Sequence, residues 1–180
     1  IEWALLLPLA LPSYIVAYCY TDLLEYSGIV QTIIRDLFNF SSPSEYYFPE
    51  IRSLGGAVFV ISFVLYPYVY LITKVAFKST PASLIEFSMI SRKNIFYYVS
   101  LPLAKPAIIA GLSLVLMETV SDFGTVDFFA VETITLGIFN LWLGINNLAS
   151  ASQLALVGFT FVVVLLALEL YARKKQKFND

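Results

Sequence analysis

Four stretches of almost uninterrupted apolar residues divide the chain. They cover residues 3–20, 53–73, 103–121 and 151–172. A helix needs roughly 20 apolar residues to cross a bilayer, and each stretch approaches or reaches that length. Pro8 and Pro12 lie inside the first stretch and predict a kinked span that packs against neighbouring helices. The pattern therefore predicts about four spanning helices.

Two further segments are patterned as helices but are too short to span. In SGIVQTIIRDLFNF, residues 27–40, the apolar positions recur at helical spacing: Ile29, Val30, Ile33, Ile34, Leu37 and Phe38. This spacing predicts an amphipathic helix suited to the membrane interface. In TLGIFNLWLGINN, residues 135–147, glycines interrupt a short apolar run, which is typical of re-entrant or interfacial segments.

The composition of the whole chain is also that of a membrane protein. Hydrophobic residues make up 59% of it, charged residues 13%, and the mean hydropathy is +0.79. We expect an all-α, polytopic membrane helix bundle with short interfacial and coupling helices, a single domain over residues 1–180 that is a fragment of a longer chain. The chain has no histidine and one cysteine, so no catalytic, cofactor or metal residues are assigned. The net charge of −2 and the lack of a basic patch argue against nucleic acid.

Basic residues indicate the orientation of the spans. Nine of the eleven fall between the second and third spans, at the start of the third, or in the C-terminal tail: Lys74, Lys78, Arg92, Lys93, Lys105, Arg173, Lys174, Lys175 and Lys177. Cytoplasmic loops of membrane proteins are enriched in Lys and Arg. The distribution places residues 74–102 and the tail in the cytoplasm, and residues 21–52 and 122–150 outside.

The cytoplasmic loop over residues 75–101 combines apolar and charged residues. Proline and capping residues predict a short helix around Glu86 and a second one over residues 94–99, before the third span begins. Such a loop is either a docking element for a soluble partner or an ordinary connection between spans. The residues that would carry docking are Glu86, Phe87, Arg92, Lys93, Leu101 and Pro102.

Two carboxylates close the third span, in LMETVSDFGT. Glu118 and Asp122 are four residues apart, which would place them on one face of a helix. Acidic residues inside membranes are costly and usually face a bundle interior or a wet cavity. Both residues are candidates for a translocation path, and the alternative is a buried structural role for the acid.

The loop resembles the cytoplasmic motif of the permease subunit of a type I ATP-binding-cassette importer. Glu86 resembles the motif glutamate, and Val99, Leu101 and Pro102 resemble the end of the motif. Phe87 and Ser88 stand where the family has two alanines, and the motif glycine has no counterpart. Within the family, the iron(III) branch is the most similar, over stretches such as LPLAKPAIIAGLSLVLMETVSDFGTVDFF and FPEIRSLGGAVFVISFVLYPYVYL.

The resemblance implies a multi-pass subunit of the bacterial inner membrane that forms a translocation path in lipid. Its partners would be cytoplasmic ATPase subunits on the coupling loop, an extracytoplasmic binding protein and a second permease half. ATP hydrolysis would reside in a partner, so the chain itself is not an enzyme. The implied substrate is ferric iron, with thiamine, polyamine, sulfate and phosphonate as alternatives. An intramembrane hydrolase and a membrane scaffold without transport are the other classes considered.

Overall fold

The computed structural model describes residues 2–81, 83, 84, 86, 90 and 94–176. The regular structure within these residues is helical. Three helices among the described residues are long and apolar enough to cross a membrane, and a bent pair of helices raises the number to four. The expected all-α, polytopic architecture is thereby confirmed.

In chain order, the helices of the described residues are a 3-10 helix (Ala4–Ala10), α1 (Ser13–Leu24), α2 (Ile29–Phe38), a 3-10 turn (Pro43–Glu45), α3 (Leu54–Lys78), α4 (Leu101–Ser121), α5 (Gly124–Phe128), α6 (Ile134–Phe139) and α7 (Leu148–Gln176). A π-helical turn, Phe96–Ser100, leads into α4, and another, Asn140–Gly144, extends α6.

Two compact units divide the described chain. The first contains the residues up to Leu65 together with Ser121–Ala155, and the second contains Tyr66–Val120 together with the residues from Leu156 onwards. Ala17 and Val60 are fully buried in the first unit, and Pro67, inside α3, is fully buried in the second.

The first predicted span is broken rather than kinked. The 3-10 helix ends at Ala10, and the chain turns by 104° before the segment that starts with α1. Leu11 is extended, with φ −120° and ψ 136°, because the residue that precedes a proline is disfavoured in helical conformation. Pro12 then precedes the first turn of α1, which continues beyond the predicted end to Leu24.

The second and fourth predicted spans are confirmed. Helix α3 begins one residue after the predicted start and continues beyond the predicted end to Lys78. Helix α7 begins three residues before its predicted start, and its apolar part runs over Leu148–Tyr171. None of the most apolar window of α7 is buried within the described chain.

The third predicted span begins earlier than the sequence indicated. The side-chain oxygen of Asn94 accepts a hydrogen bond of 3.0 Å from the backbone N–H of Phe96, which starts a continuous helical segment over Phe96–Ser121. The separate short helix predicted over residues 94–99 is therefore wrong. The backbone N–H of Leu101 reaches back to Phe96, and this wide turn comes just before Pro102, which has no N–H to donate.

Helices α3 and α4 approach closely in the second unit. A Cβ atom placed on Gly111 would lie only 2.8 Å from the Cα atom of Val69. One turn earlier, Ala107 lines a cavity of about 350 Å³ together with Ile72 and Ala76. Ala107 and Gly111, two small residues at four-residue spacing, therefore both face a neighbouring helix, as close packing in membranes requires.

Candidate functional site

Asp122 is the first residue after α4 and is not itself helical. The expectation that it shares a helical face with Glu118 is therefore wrong. Helix α4 ends at Ser121. The carboxylate of the next residue, Asp122, accepts a backbone N–H from the first turn of α5 and so caps that helix.

Four donors surround the Asp122 carboxylate. One oxygen accepts the backbone N–H groups of Thr125, at 2.9 Å, and Val126, at 3.4 Å. The other oxygen accepts the hydroxyl groups of Thr125, at 3.0 Å, and Ser13, at 2.6 Å. Thr125 is completely buried. The carboxylate thus caps α5 and joins it to the first turn of α1.

The residues that follow Asp122 extend this junction. A Cβ atom on Gly124 would lie 3.1 Å from the Cβ atom of Tyr14, so only a residue without a side chain fits here easily. The ring of Phe123 lies 4.5 Å from that of Phe139, centroid to centroid. The turn Asp122–Phe123–Gly124, which we call the Asp-Phe-Gly turn, therefore contacts both α1 and α6.

Glu118 belongs to the other compact unit. It lies in the last turn of α4, and its side chain is exposed. Next to it, Thr119 donates a hydrogen bond of 2.8 Å to the carbonyl of Val115. The proposed place of Glu118 in a translocation path stays a prediction.

The loop between α3 and α4 is described only in part. Phe87, Arg92 and Lys93 lie outside the described residues. Glu86 is helical and exposed. At the end of the loop, Leu101 is half-buried at the start of α4 and Pro102 is exposed. Because α3 continues to Lys78 and the helical segment starts at Phe96, both ends of the predicted loop 75–101 are helical.

The two ends of this loop are in contact within the second unit. The ring of Phe77, in the last turn of α3, lies 6.3 Å from that of Phe96, centroid to centroid. The loop also exposes apolar side chains, since Leu84 is partly exposed and Ile90 is 81% exposed. An exposed apolar surface of this kind is typical of a partner site.

A cleft of about 550 Å³ lies in the first unit, between the turn after α1 and the segment that precedes α3. Arg52 pairs there with Glu25 at 2.6 Å, and its guanidinium lies 4.8 Å from the centre of the Phe128 ring. In the loop after α2, the backbone N–H of Ser41, and to a lesser degree its hydroxyl, donates to Glu45 and holds the pKa of that carboxyl below its ordinary value.

Among known proteins, the chain is similar to a permease protein of a bacterial transport system. The chain is 25% identical over 174 residues to the "Putative molybdenum transport system permease protein YvgM" of Bacillus subtilis (strain 168). The aligned region covers 91% of this chain and 73% of the Bacillus protein. No family model matches the chain. The described residues thus have the apolar helices of a multi-pass membrane protein, and the chain is similar over most of its length to a transport permease.

Several residues of the junction were not identified from the sequence. Ser13 and Asp122 are far apart in the chain, and nothing in the local pattern connects them. The capping role of Asp122 did have a local signal, because a carboxylate three residues before Thr125 has the spacing of a helix cap. The same holds for Asn94, which caps the turn that leads into α4.

Proposed function

We propose that this chain is a membrane-spanning subunit of an ATP-driven importer. In this role it forms part of a translocation path and couples that path to a cytoplasmic ATPase. The proposal is carried by the similarity to a permease protein over 91% of the chain, together with three to four helices that can cross a membrane. The chain contributes the path, and hydrolysis of ATP belongs to the partner.

The loop between α3 and α4 is the proposed docking site for the ATPase. Its exposed Leu84 and Ile90 supply apolar contact area, and the exposed Glu86 supplies a charge that orients the partner. Closure of a partner around such a segment moves it as a rigid body, and the helices on either side carry the movement onward.

Two further partners follow from the same role. A helix such as α7, whose most apolar window is not buried by any of the described residues, needs lipid or the helices of a second permease half around it. On the opposite side of the membrane from the loop, an extracytoplasmic binding protein delivers the substrate. We place the complex in the bacterial inner membrane.

Ferric iron is the substrate that we propose, on the strength of the similarity to iron(III) permeases over the third span and the Asp-Phe-Gly turn. A second candidate is a molybdenum oxyanion, favoured by the name of the Bacillus relative. The two substrates differ in charge: Fe(III) is a hard cation that prefers oxygen ligands, whereas an oxyanion prefers N–H donors and cationic side chains.

The coupling role is tested with Glu86→Lys in the complete importer. We expect this charge reversal to reduce both co-purification of the ATPase and substrate uptake, because the new positive charge at the docking site would repel the surface of the ATPase that Glu86 attracts. The matched control is Glu132→Lys, an exposed residue of the segment predicted to lie outside, which should leave co-purification unchanged. Full retention of the ATPase and of uptake by Glu86→Lys would show that this loop is not the coupling element.

The substrate is tested by uptake of radiolabelled ferric iron and of radiolabelled molybdate in cells that lack their own importers for both. The chain is expressed with its ATPase and binding protein. Accumulation of iron alone supports the first candidate, and accumulation of molybdate alone supports the second. If neither ion is taken up while all subunits are present at normal abundance, the chain imports neither ferric iron nor molybdate.

A further inference from the structure

Helix α2 exposes its apolar face and buries its polar face, which is the reverse of a surface helix in a soluble protein. It is the most strongly amphipathic of the five longest helices in the part of the chain that the structure describes. Its polar residue Gln31 is only 7% exposed, whereas its apolar residues Ile29, Ile33 and Leu37 are 62%, 58% and 72% exposed. The polar face is therefore turned toward the protein and the apolar face away from it.

The inner face is occupied by a network of hydrogen bonds. The amide of Gln31 donates to the carbonyl of Leu24 at 2.7 Å, and its oxygen accepts from the hydroxyl of Tyr46 at 2.6 Å. The guanidinium of Arg35 donates to the carbonyl of Tyr26 at 2.7 Å and to the hydroxyl of Tyr46 at 3.2 Å. These contacts fix the rotation of α2 about its own axis.

The same network removes the cation from the outer face. The guanidinium of Arg35 also lies 4.1 Å from the centre of the Tyr26 ring, on the inner side of the helix. Ile29, Ile33 and Leu37 follow at four-residue spacing and form one apolar stripe, with the exposed Asp36 at its edge. The helix ends just beyond, where Asn39 adopts a left-handed backbone with φ 55° and its N–H bonds to the carbonyl of Arg35.

We propose that α2 lies in the boundary between headgroups and acyl chains of the membrane, with Ile29, Ile33 and Leu37 in contact with lipid. The segment Ser13–Phe38 and the 3-10 helix pass together as one apolar, bent membrane segment, so α2 continues a stretch that is already suited to hydrocarbon. An interfacial helix of this kind has its apolar face immersed by about 5–10 Å, while a group at the edge of the stripe, here Asp36, stays in the headgroup region.

Lipid fits this face better than a protein partner because of the distribution of charge. The cation of α2 is used internally, so the stripe and its edge present only apolar surface and the single carboxylate of Asp36. We therefore expect contact with the acyl chains of neutral lipids, with no requirement for anionic headgroups. The proposal rests on the membrane location of the chain and is independent of the transport role.

The test places a nitroxide spin label at Ile33→Cys, and separately at Leu37→Cys, in the full chain reconstituted into phosphatidylcholine nanodiscs. Cys19, which is free, is first replaced by serine. Collision with oxygen, which concentrates in hydrocarbon, is compared with collision with a water-soluble nickel chelate. The control label is at Ser44→Cys, an exposed position in the loop after α2.

We expect labels at positions 33 and 37 to collide more often with oxygen than with the nickel chelate, and the label at position 44 to show the reverse. Addition of phosphatidylglycerol should not change the result. Labels at 33 and 37 that behave like the label at 44 would place α2 in water and overturn the proposal. Protection from both reagents would also overturn it, because the face would then be covered by protein.

Discussion

The hydroxyl of Ser13 donates a hydrogen bond of 2.6 Å to a carboxylate oxygen of Asp122, which lies 109 positions later in the chain. This contact joins the first turn of α1 to the start of α5. Because the same carboxylate also accepts two backbone N–H groups and the hydroxyl of Thr125, it acts as a structural junction. A carboxylate with four donors has little remaining capacity to bind a passing substrate.

Asp122→Asn tests this structural role. The variant keeps an oxygen for the N–H groups of Thr125 and Val126, but its amide nitrogen cannot accept from the hydroxyls of Ser13 and Thr125. We expect a loss of stability of about 1–3 kcal/mol. The measurement is the temperature at which the purified protein in detergent loses its monodisperse elution profile.

Asp127→Asn is the matched control, because Asp127 is an exposed residue of the same short helix, α5. Its effect should stay within about 0.5 kcal/mol. If Asp122→Asn were as stable as the control but transported substrate poorly, Asp122 would belong to the path rather than to the junction.

Glu118→Gln tests the proposed place of Glu118 in the translocation path. The substitution keeps the size of the side chain and removes its charge. We expect substrate uptake per molecule to fall while membrane abundance stays normal, because an acid that lines a path acts through its charge. Uptake in cells, normalised to the amount of permease in the membrane, is the measurement. Normal uptake at normal abundance would exclude an essential role in transport.

Gly111→Ala tests the close approach of α3 and α4. The new Cβ atom would meet the backbone of Val69 at 2.8 Å, so the helices must separate. We expect a destabilisation of about 1–3 kcal/mol, as for other overpacked sites. At the control position, Gly55→Ala, the nearest atom is 3.6 Å away, and the better helix propensity of alanine should stabilise α3 by about 0.5–1 kcal/mol. Equal thermal stability of the two variants would contradict the proposed packing.

Labelling of single cysteines in intact cells tests the predicted orientation. In a background without Cys19, a cysteine at Ser44 should react with an impermeant maleimide, whereas a cysteine at Ser79 should react only after the membrane is permeabilised. Both side chains are exposed in the structure, so lack of reaction at Ser79 would not come from burial. Equal labelling of the two positions in intact cells would refute the orientation.

The sequence predicted the long helices and α2 well, because each is defined by a local pattern. The helical spacing of Ile29, Ile33 and Leu37 places α2 correctly, and uninterrupted apolar runs locate α3, α4 and α7. The ends of these helices were less predictable. At the start of α4, the cap provided by Asn94 and the wide turn before Pro102 extend the helix toward the N-terminus, and apolar content does not indicate either.

Long-range contacts could not be predicted at all. Glu118 and Asp122 suggested one acidic face, but the fold uses Asp122 to hold Ser13, which is distant in the chain. A sequence pattern reports which residue types share a face of a helix. It does not indicate that a carboxylate will accept hydrogen bonds from residues that are distant in the chain and brought close by packing.

The contact between Phe77 and Phe96 has a mechanical consequence. It joins the two ends of the loop between α3 and α4, so the segment between the two rings is anchored at both ends to the same pair of helices. In a loop whose two ends are not in contact, an applied force is absorbed by bending of the loop itself. A force on this loop is transmitted to both helices at once. The Gly111–Val69 contact lies about two turns from Phe77 along α3 and about four turns from Phe96 along the helical segment that includes α4, and it makes the two helices move together.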